Sequence, residues 1–205
     1  MIVKAIHVGP IGTNCYLLGD EENKVCAVVD PGDEASRVRE MIEDSGLKLE
    51  MILLTHGHDD HVTAVPELRD AYPAVPIYIH EKDYDSAGTG AMHCMKPTSN
   101  VIFCREGDKL KLGGLTIHVY ETPGHTPGSV AFQADTVLFT GDTLVRGSMG
   151  RTDFPGGSYE AIMESLKKLG GLPGDYRVCP GHEGLSTLEE ERQGNYYMRE
   201  AMGNP

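Results

Sequence analysis

Seven side chains suited to divalent metal ions fall in four short clusters: His56, His58, Asp60 and His61 in THGHDDH, then His125, Asp142 and His182. Imidazole and carboxylate donors together suit zinc, and also iron or manganese, whereas structural zinc sites are usually closed by cysteines. The five cysteines, Cys15, Cys26, Cys94, Cys104 and Cys179, form no CxxC pair. Seven donors are enough to hold two divalent ions and leave water on them, so the chemistry expected is metal-assisted hydrolysis. His56 and His58 have period-two spacing, which lets an extended backbone point both toward one ion. Asp60 and His61 follow where VTAVPELRDAY begins, and Val62, Val65 and Leu68 at helical spacing predict a helix starting near Val62.

Scattered donors acquire meaning only if the fold gathers them. Each cluster follows an apolar, strand-like run: Met51–Leu54 before His56, Leu115–Tyr120 before His125, Thr136–Phe139 before Asp142 and Arg177–Cys179 before His182. Aligned strand ends in packed sheets would bring all seven donors to one edge. Glycine immediately precedes His58, His125, Asp142 and His182 but none of His7, His80, His93 and His118, as expected where a chain leaves a strand and turns sharply. Further strands are predicted near 2–8, 13–19, 25–30, 76–80, 109–112 and 129–134. Helices are predicted near 34–45 and 62–71, from Ser158 to Leu169, and once more at the C-terminal end, where Thr187 and Glu190 form a capping box.

A chain of 205 residues can bury one substantial core, so residues 1–205 are read as a single α/β domain. No 18-residue apolar stretch offers a membrane span. Lys+Arg 18 against Asp+Glu 31 gives a net charge of −13, which repels phosphate backbones and speaks against nucleic-acid partners. The unpaired cysteines, and a strand-like MIVKAIHV in place of a secretory signal, lead to the expectation of a reducing, cytoplasmic location. The Gly-, Met- and Ser-containing stretch Ser86–Asn100 reads as a loop over the site, with Cys94 an ordinary reduced thiol.

THGHDDH, TPGHTPGS, GD and PGH in this order resemble the metallo-β-lactamase fold superfamily, and TNCYLL and VVDPGD extend the likeness to the start of the chain. The resemblance implies an αββα sandwich of two packed mixed β-sheets flanked by helices, with a two-metal site at one edge. Residue by residue it implies that His56, His58 and His125 bind the first metal, that Asp60, His61 and His182 bind the second, and that Asp142 bridges them. It also implies that Asp30 bonds to the metal-binding loop. Asp142 stands where many true β-lactamases carry Cys, and His58 where the diiron flavoproteins carry Glu. The nearest likeness is to short bacterial glyoxalase II-like hydrolases, whose GRTDFPGGS segment is matched by Gly150–Ser158. Two departures are Gly57, commonly His in glyoxalase II, and Glu121, where many relatives read HTPGH. Only 23 residues follow His182, too few for the helical domain that grips glutathione in typical glyoxalase II enzymes.

The implied activity is hydrolysis of a small-molecule acyl-thiol ester. Two divalent ions with Asp60, Asp142 and a bridging hydroxide leave roughly one positive charge, which favours an oxyanion, and Asp60 would orient that hydroxide. Two other readings stay open: a persulfide dioxygenase using a single iron on His56, His125 and Asp142, and a lactonase or other small-ester hydrolase. Arg146, Arg151, Lys96 and His93 lie in segments that could border the site. Tyr159 and Tyr196 are expected to pack, and His7, His80 and His118 to serve structure, His118 facing away from Ile117 and Val119. Self-association is not legible in the sequence.

Overall fold

The computed structural model of the chain describes residues 1–84 and 100–203. Apart from Asn100, the expected loop over the site, with His93, Cys94 and Lys96, lies outside the described residues. The first sheet takes β1 (Ile2–Val8), β2 (Thr13–Asp20), β3 (Val25–Val29), β4 (Lys48–Leu53), β5 (Ile77–Ile79) and β6 (Val101–Phe103) in that spatial order. The second takes β7 (Lys109–Leu112), β8 (Leu115–Glu121), β9 (Val130–Ala134) and β10 (Val137–Gly141). A small hairpin of β11 (Leu144–Val145) and β12 (Ser148–Met149) comes next in the chain, and β13 (Arg177–Pro180) and β14 (Ser186–Thr187) then complete the second sheet. Both sheets are mixed.

Residues alternate between two cores along the first sheet, as the period of a strand requires. Tyr16, Leu18, Ala27, Val29, Met51 and Leu53 face the second sheet, where Ile117, Val119, Phe132 and Phe139 meet them. Cys15, Leu17, Cys26, Val28 and Ile52 point the other way, against α1 (Ala35–Ser45) and α3 (Val65–Ala71). The inner strands β2 and β3 are buried on both faces, and β3 accordingly reads as a continuous apolar run. Behind the second sheet, α4 (Tyr159–Gly170), α5 (Leu188–Gly194) and α6 (Tyr196–Ala201) bury Leu166, Leu169, Leu188 and Met198. The layers run α, β, β, α, the sandwich expected. Full burial of Phe132 and Phe139 contributes about 2 to 3 kcal/mol each.

β8 and β10 are each antiparallel to β9, and β13 is parallel to β10. Their carboxyl ends therefore open at one edge. The segment leaving β4 is tied to that edge across the sheets, Val130 N–H donating to the Thr55 carbonyl at 2.8 Å.

The helix expected from Val62 is two helices, and Asp60 and His61 belong to the first. A short α2 (Asp59–Val62) precedes α3. Pro66 lacks the N–H that would bond the Val62 carbonyl in a continuous helix, and the Ala64 N–H turns to the Pro31 carbonyl at 3.1 Å. The single C-terminal helix is likewise split: the capping box of Thr187 and Glu190 starts α5 as expected, but Asn195 leaves the helical region and caps Tyr197 and Met198 of α6. β6, β11, β12 and β14 have two or three residues each, too few to show a period. Tyr159 and Tyr196 are corrected: they are 43% and 62% exposed, because each opens a helix on its outer face. His118 is half-buried between buried Ile117 and Val119, as expected.

Candidate metal centre

The chain leaves β4 through Thr55 into His56, and a buried carboxylate sets the orientation of both. Asp30, at the end of β3 with φ 50°, accepts from Thr55 N–H at 2.8 Å and from the Thr55 hydroxyl at 2.6 Å. With its hydrogen given to Asp30, Thr55 Oγ1 accepts from His56 Nδ1 at 3.1 Å. His56 Nε2 is thus left with a lone pair, 3.1 Å from His58 Nδ1. His125 reaches the same point from the other sheet. Its Nδ1 donates to the Arg151 carbonyl at 2.8 Å, leaving the Nε2 lone pair 2.9 Å from His58 Nδ1. Fixing the far ring nitrogen is how proteins commonly aim a metal-binding imidazole. Burial, with His61, His125 and His58 around it, holds His56 well below the ordinary imidazole range; burial and the neighbouring imidazoles hold His58 down at about 4. Both are neutral near pH 7, the form that ligates metals.

Beside this group stands a second. Asp60, His61 and His182 offer ligand atoms within 4.8 Å of one another, as do His56, His61 and Asp142. His61 Nδ1 donates to Asp30 at 3.1 Å, which aims its Nε2 at Asp60 Oδ2 (3.2 Å) and Asp142 Oδ1 (3.6 Å). Asp142 Oδ2 lies 3.5 Å from both His125 Nε2 and His182 Nε2, so this carboxylate stands between the two groups. Burial alone would lower the His61 pKa, but Asp142, Asp30 and Asp60 outweigh it and raise it well above the ordinary value. The hydrogen bond to Asp60 raises that of His182. Burial works against the Asp60 carboxylate, yet His182 and His61, with the Thr13 hydroxyl, hold it far below the usual range.

The structure brings all seven expected donors together, and Asp30 bonds to them as the resemblance implied. It also reveals supports that sequence reasoning missed. Thr13 donates to Asp60 Oδ2 at 2.9 Å. Asn14 Nδ2 donates to the carbonyls of Pro180 and Glu183, and Tyr16 OH to Pro180, holding the turn that carries His182. Asp83, fully buried just after β5, accepts from Gly57 N–H, Thr126 Oγ1 and Gly128 N–H. The only signal for the first three was the TNCYLL segment, which marked the resemblance without assigning them a role; nothing near Asp83 marked it. At Gly181 a Cβ would sit 2.3 Å from Asp142 Oδ1 and 2.6 Å from His61 Cε1, so only glycine lets this strand end approach the cluster. His7 and His80 stay outside the cluster; His80 bonds Glu121 at 3.2 Å and caps Lys82.

The donor set fits two divalent cations. Lone pairs of His56 Nε2 and His125 Nε2 converge on His58 Nδ1. His61 Nε2 and Asp142 Oδ1 are buried without a hydrogen-bond partner among the described residues. Such orphaned atoms are costly unless something binds them. The site floors a cavity of about 700 Å³ bordered by Ile11, Val145, Arg146, Met149, Arg151 and Phe154.

A sequence profile described as Metallo-beta-lactamase superfamily matches residues 8–182. Hydroxyacylglutathione hydrolase GloC of Haemophilus influenzae is 37% identical, covering 97% of this chain and 98% of that protein. Among solved structures, BLEG-1 B3 metallo-beta-lactamase superposes with a TM-score of 0.85 at 35% identity, covering 96% and 99% of the two chains. ETHE1 from Myxococcus xanthus does so at 0.83 and 30%, covering 96% and 84%.

Proposed function

This chain belongs to the metallo-beta-lactamase superfamily, and from that premise we propose that it hydrolyses a small acyl-thiol ester at a two-metal site. The observation that carries this reading is Asp142, standing between His56–His58–His125 and Asp60–His61–His182 at the floor of an open cavity. The substrate class is supported by the likeness to hydroxyacylglutathione hydrolase GloC along almost the whole chain.

In this reading His56, His58 and His125 would hold one ion and Asp60, His61 and His182 the other, with Asp142 shared. Zinc suits the donors; iron and manganese suit them too. Divalent ions so held would supply Lewis acidity and lower the pKa of bound water toward about 7. The residues do the positioning. Asp30 locks the rings of His61 and, through Thr55, of His56, while the Arg151 carbonyl locks His125. His182 and His61, with the Thr13 hydroxyl, favour the ionised form of Asp60, so its carboxylate can accept a hydrogen bond at the cavity floor. Phe154 packs edge-on against His58 at 5.5 Å and shields one flank from water.

The test is hydrolysis of S-lactoylglutathione, followed by loss of thioester absorbance, with zinc-reconstituted protein beside a chelated sample. Metal-dependent turnover is expected; none from protein carrying two metals per chain would rule out this glutathione thioester and turn the search to other thiols, lactones and persulfides. A second reading is a persulfide dioxygenase in which a single iron would sit on His56, His125 and Asp142, three of the donors gathered here. One iron per chain and oxygen uptake on glutathione persulfide would establish it instead.

A further inference from the structure

We propose that the cavity is polarised, with Arg146 binding an oxyanion, a carboxylate or phosphate, on the thiol half of the substrate, while the acyl half lies on Phe154. The proposal rests on the thioester reading for the identity of the two halves.

Two described cations border the cavity. Arg151 is already engaged: its guanidinium pairs with both oxygens of Asp153, at 2.7 and 2.6 Å, and lies 4.0 Å over the Phe154 ring. Arg146 has neither a carboxylate nor a hydrogen-bond acceptor among the described residues. Arg146 is exposed, and its Nη1 lies 3.3 Å from where a Cβ on Gly184 would stand. The guanidinium therefore sits beside the turn that carries His182. The opposite end is aromatic, with Phe154 edge-on to the ring of His58.

Asp142 lies between His125 and His182, so a substrate reacting there spans both ends. A thioester has two halves to place. Phe154, 38% exposed, offers an apolar surface that suits an acyl group, and the cation stacked on it, Arg151, is already paired with Asp153. A free guanidinium offers a planar fork of donors that matches a carboxylate or phosphate bidentately. In a chain of net charge −13, an anionic substrate needs such a local contact against the surrounding field. The orientation follows: anionic thiol toward His182, acyl group toward His58.

The experiment compares acetyl thioesters of 3-mercaptopropionate (anionic) and N-acetylcysteamine (neutral) on the zinc-loaded enzyme, its Arg146→Gln and Arg146→Lys variants, and Arg151→Gln. The kcat/KM ratio of anionic to neutral thioester is expected to fall roughly 10- to 100-fold in Arg146→Gln, through KM on the anionic ester. Arg146→Lys should recover part of it, and Arg151→Gln should shift it less than about twofold. A thioester of a phosphorylated thiol distinguishes the two oxyanions. An unchanged ratio in Arg146→Gln overturns the proposal. Calorimetric titration with 3-mercaptopropionate gives a readout free of turnover. If neither thioester is hydrolysed but binding of this thiol weakens in Arg146→Gln, the subsite stands and the thioester reading falls; if binding does not depend on Arg146, the subsite falls.

Discussion

The carboxylate of Asp83 accepts the backbone N–H of Gly57 at 2.9 Å, a bond that reaches from the turn after β5 to the residue between His56 and His58. The same carboxylate takes Thr126 Oγ1 at 2.6 Å and Gly128 N–H at 2.7 Å, just beyond His125. One buried group thus clamps the two loops, one from each sheet, whose three imidazoles face each other.

Removing the clamp with Asp83→Ala leaves the buried N–H groups of Gly57 and Gly128 without their acceptor, while Thr126 can turn to Ser129 Oγ at 2.6 Å. A loss of about 2 to 4 kcal/mol in stability is expected, measured by urea unfolding of metal-free protein. Competition with a chromophoric chelator should show zinc affinity falling roughly 10- to 100-fold, with Asp83→Asn milder in both. Unaltered affinity would mean that the loops hold their register without Asp83.

Substitution of the shared carboxylate or the central imidazole is expected to be severe. Asp142→Ala and His58→Ala should each abolish turnover and lower the metal content measured by elemental analysis. Retention of both metal and turnover in either variant would refute the assignment of that residue.

Gly181→Ala probes close approach. The added Cβ meets Asp142 Oδ1 and His61 Cε1, neither of which is the end of a flexible chain. Loss of metal at His61 and His182 is expected with the far-ultraviolet circular dichroism unchanged. Full metal content in this variant would show that the β13 end can retreat.

Far from the site, Asp20 gives a pH signature. The N–H of Gly114 and then the Asn23 side chain hold its carboxyl at about 2, against an ordinary 3.8. A depressed carboxylate pKa contributes stability that is present above the ordinary value and lost as pH falls through the folded one. Asp20→Asn should therefore lower the Tm near pH 7, with the difference from wild type closing between about pH 4 and pH 2. A difference that stays constant over that window would assign the effect to packing instead.

Taken alone, the sequence determined which residues could ligate and what surrounds them. The donors are local words, THGHDDH, GH, GD and GH, each following an apolar run, and strand periodicity is a local property that short windows carry. Burial of β3 on both faces was written in its unbroken apolar run, Val25–Val29, for the same reason. Only the tertiary structure decided how those words meet. Thr13 is 47 positions from Asp60, and Asn14 is 169 from Glu183; no window spans such distances, and a threonine or asparagine that props a ligand looks like any other in sequence. The break at Ala64 and the second helix at Asn195 were missed because a cap or a turned N–H competes with helix continuation by amounts that only the surrounding contacts settle. Arg146 and Arg151 were equals in the sequence. Three-dimensional pairing separated them, since Asp153 and Phe154 occupy one guanidinium and leave the other beside His182.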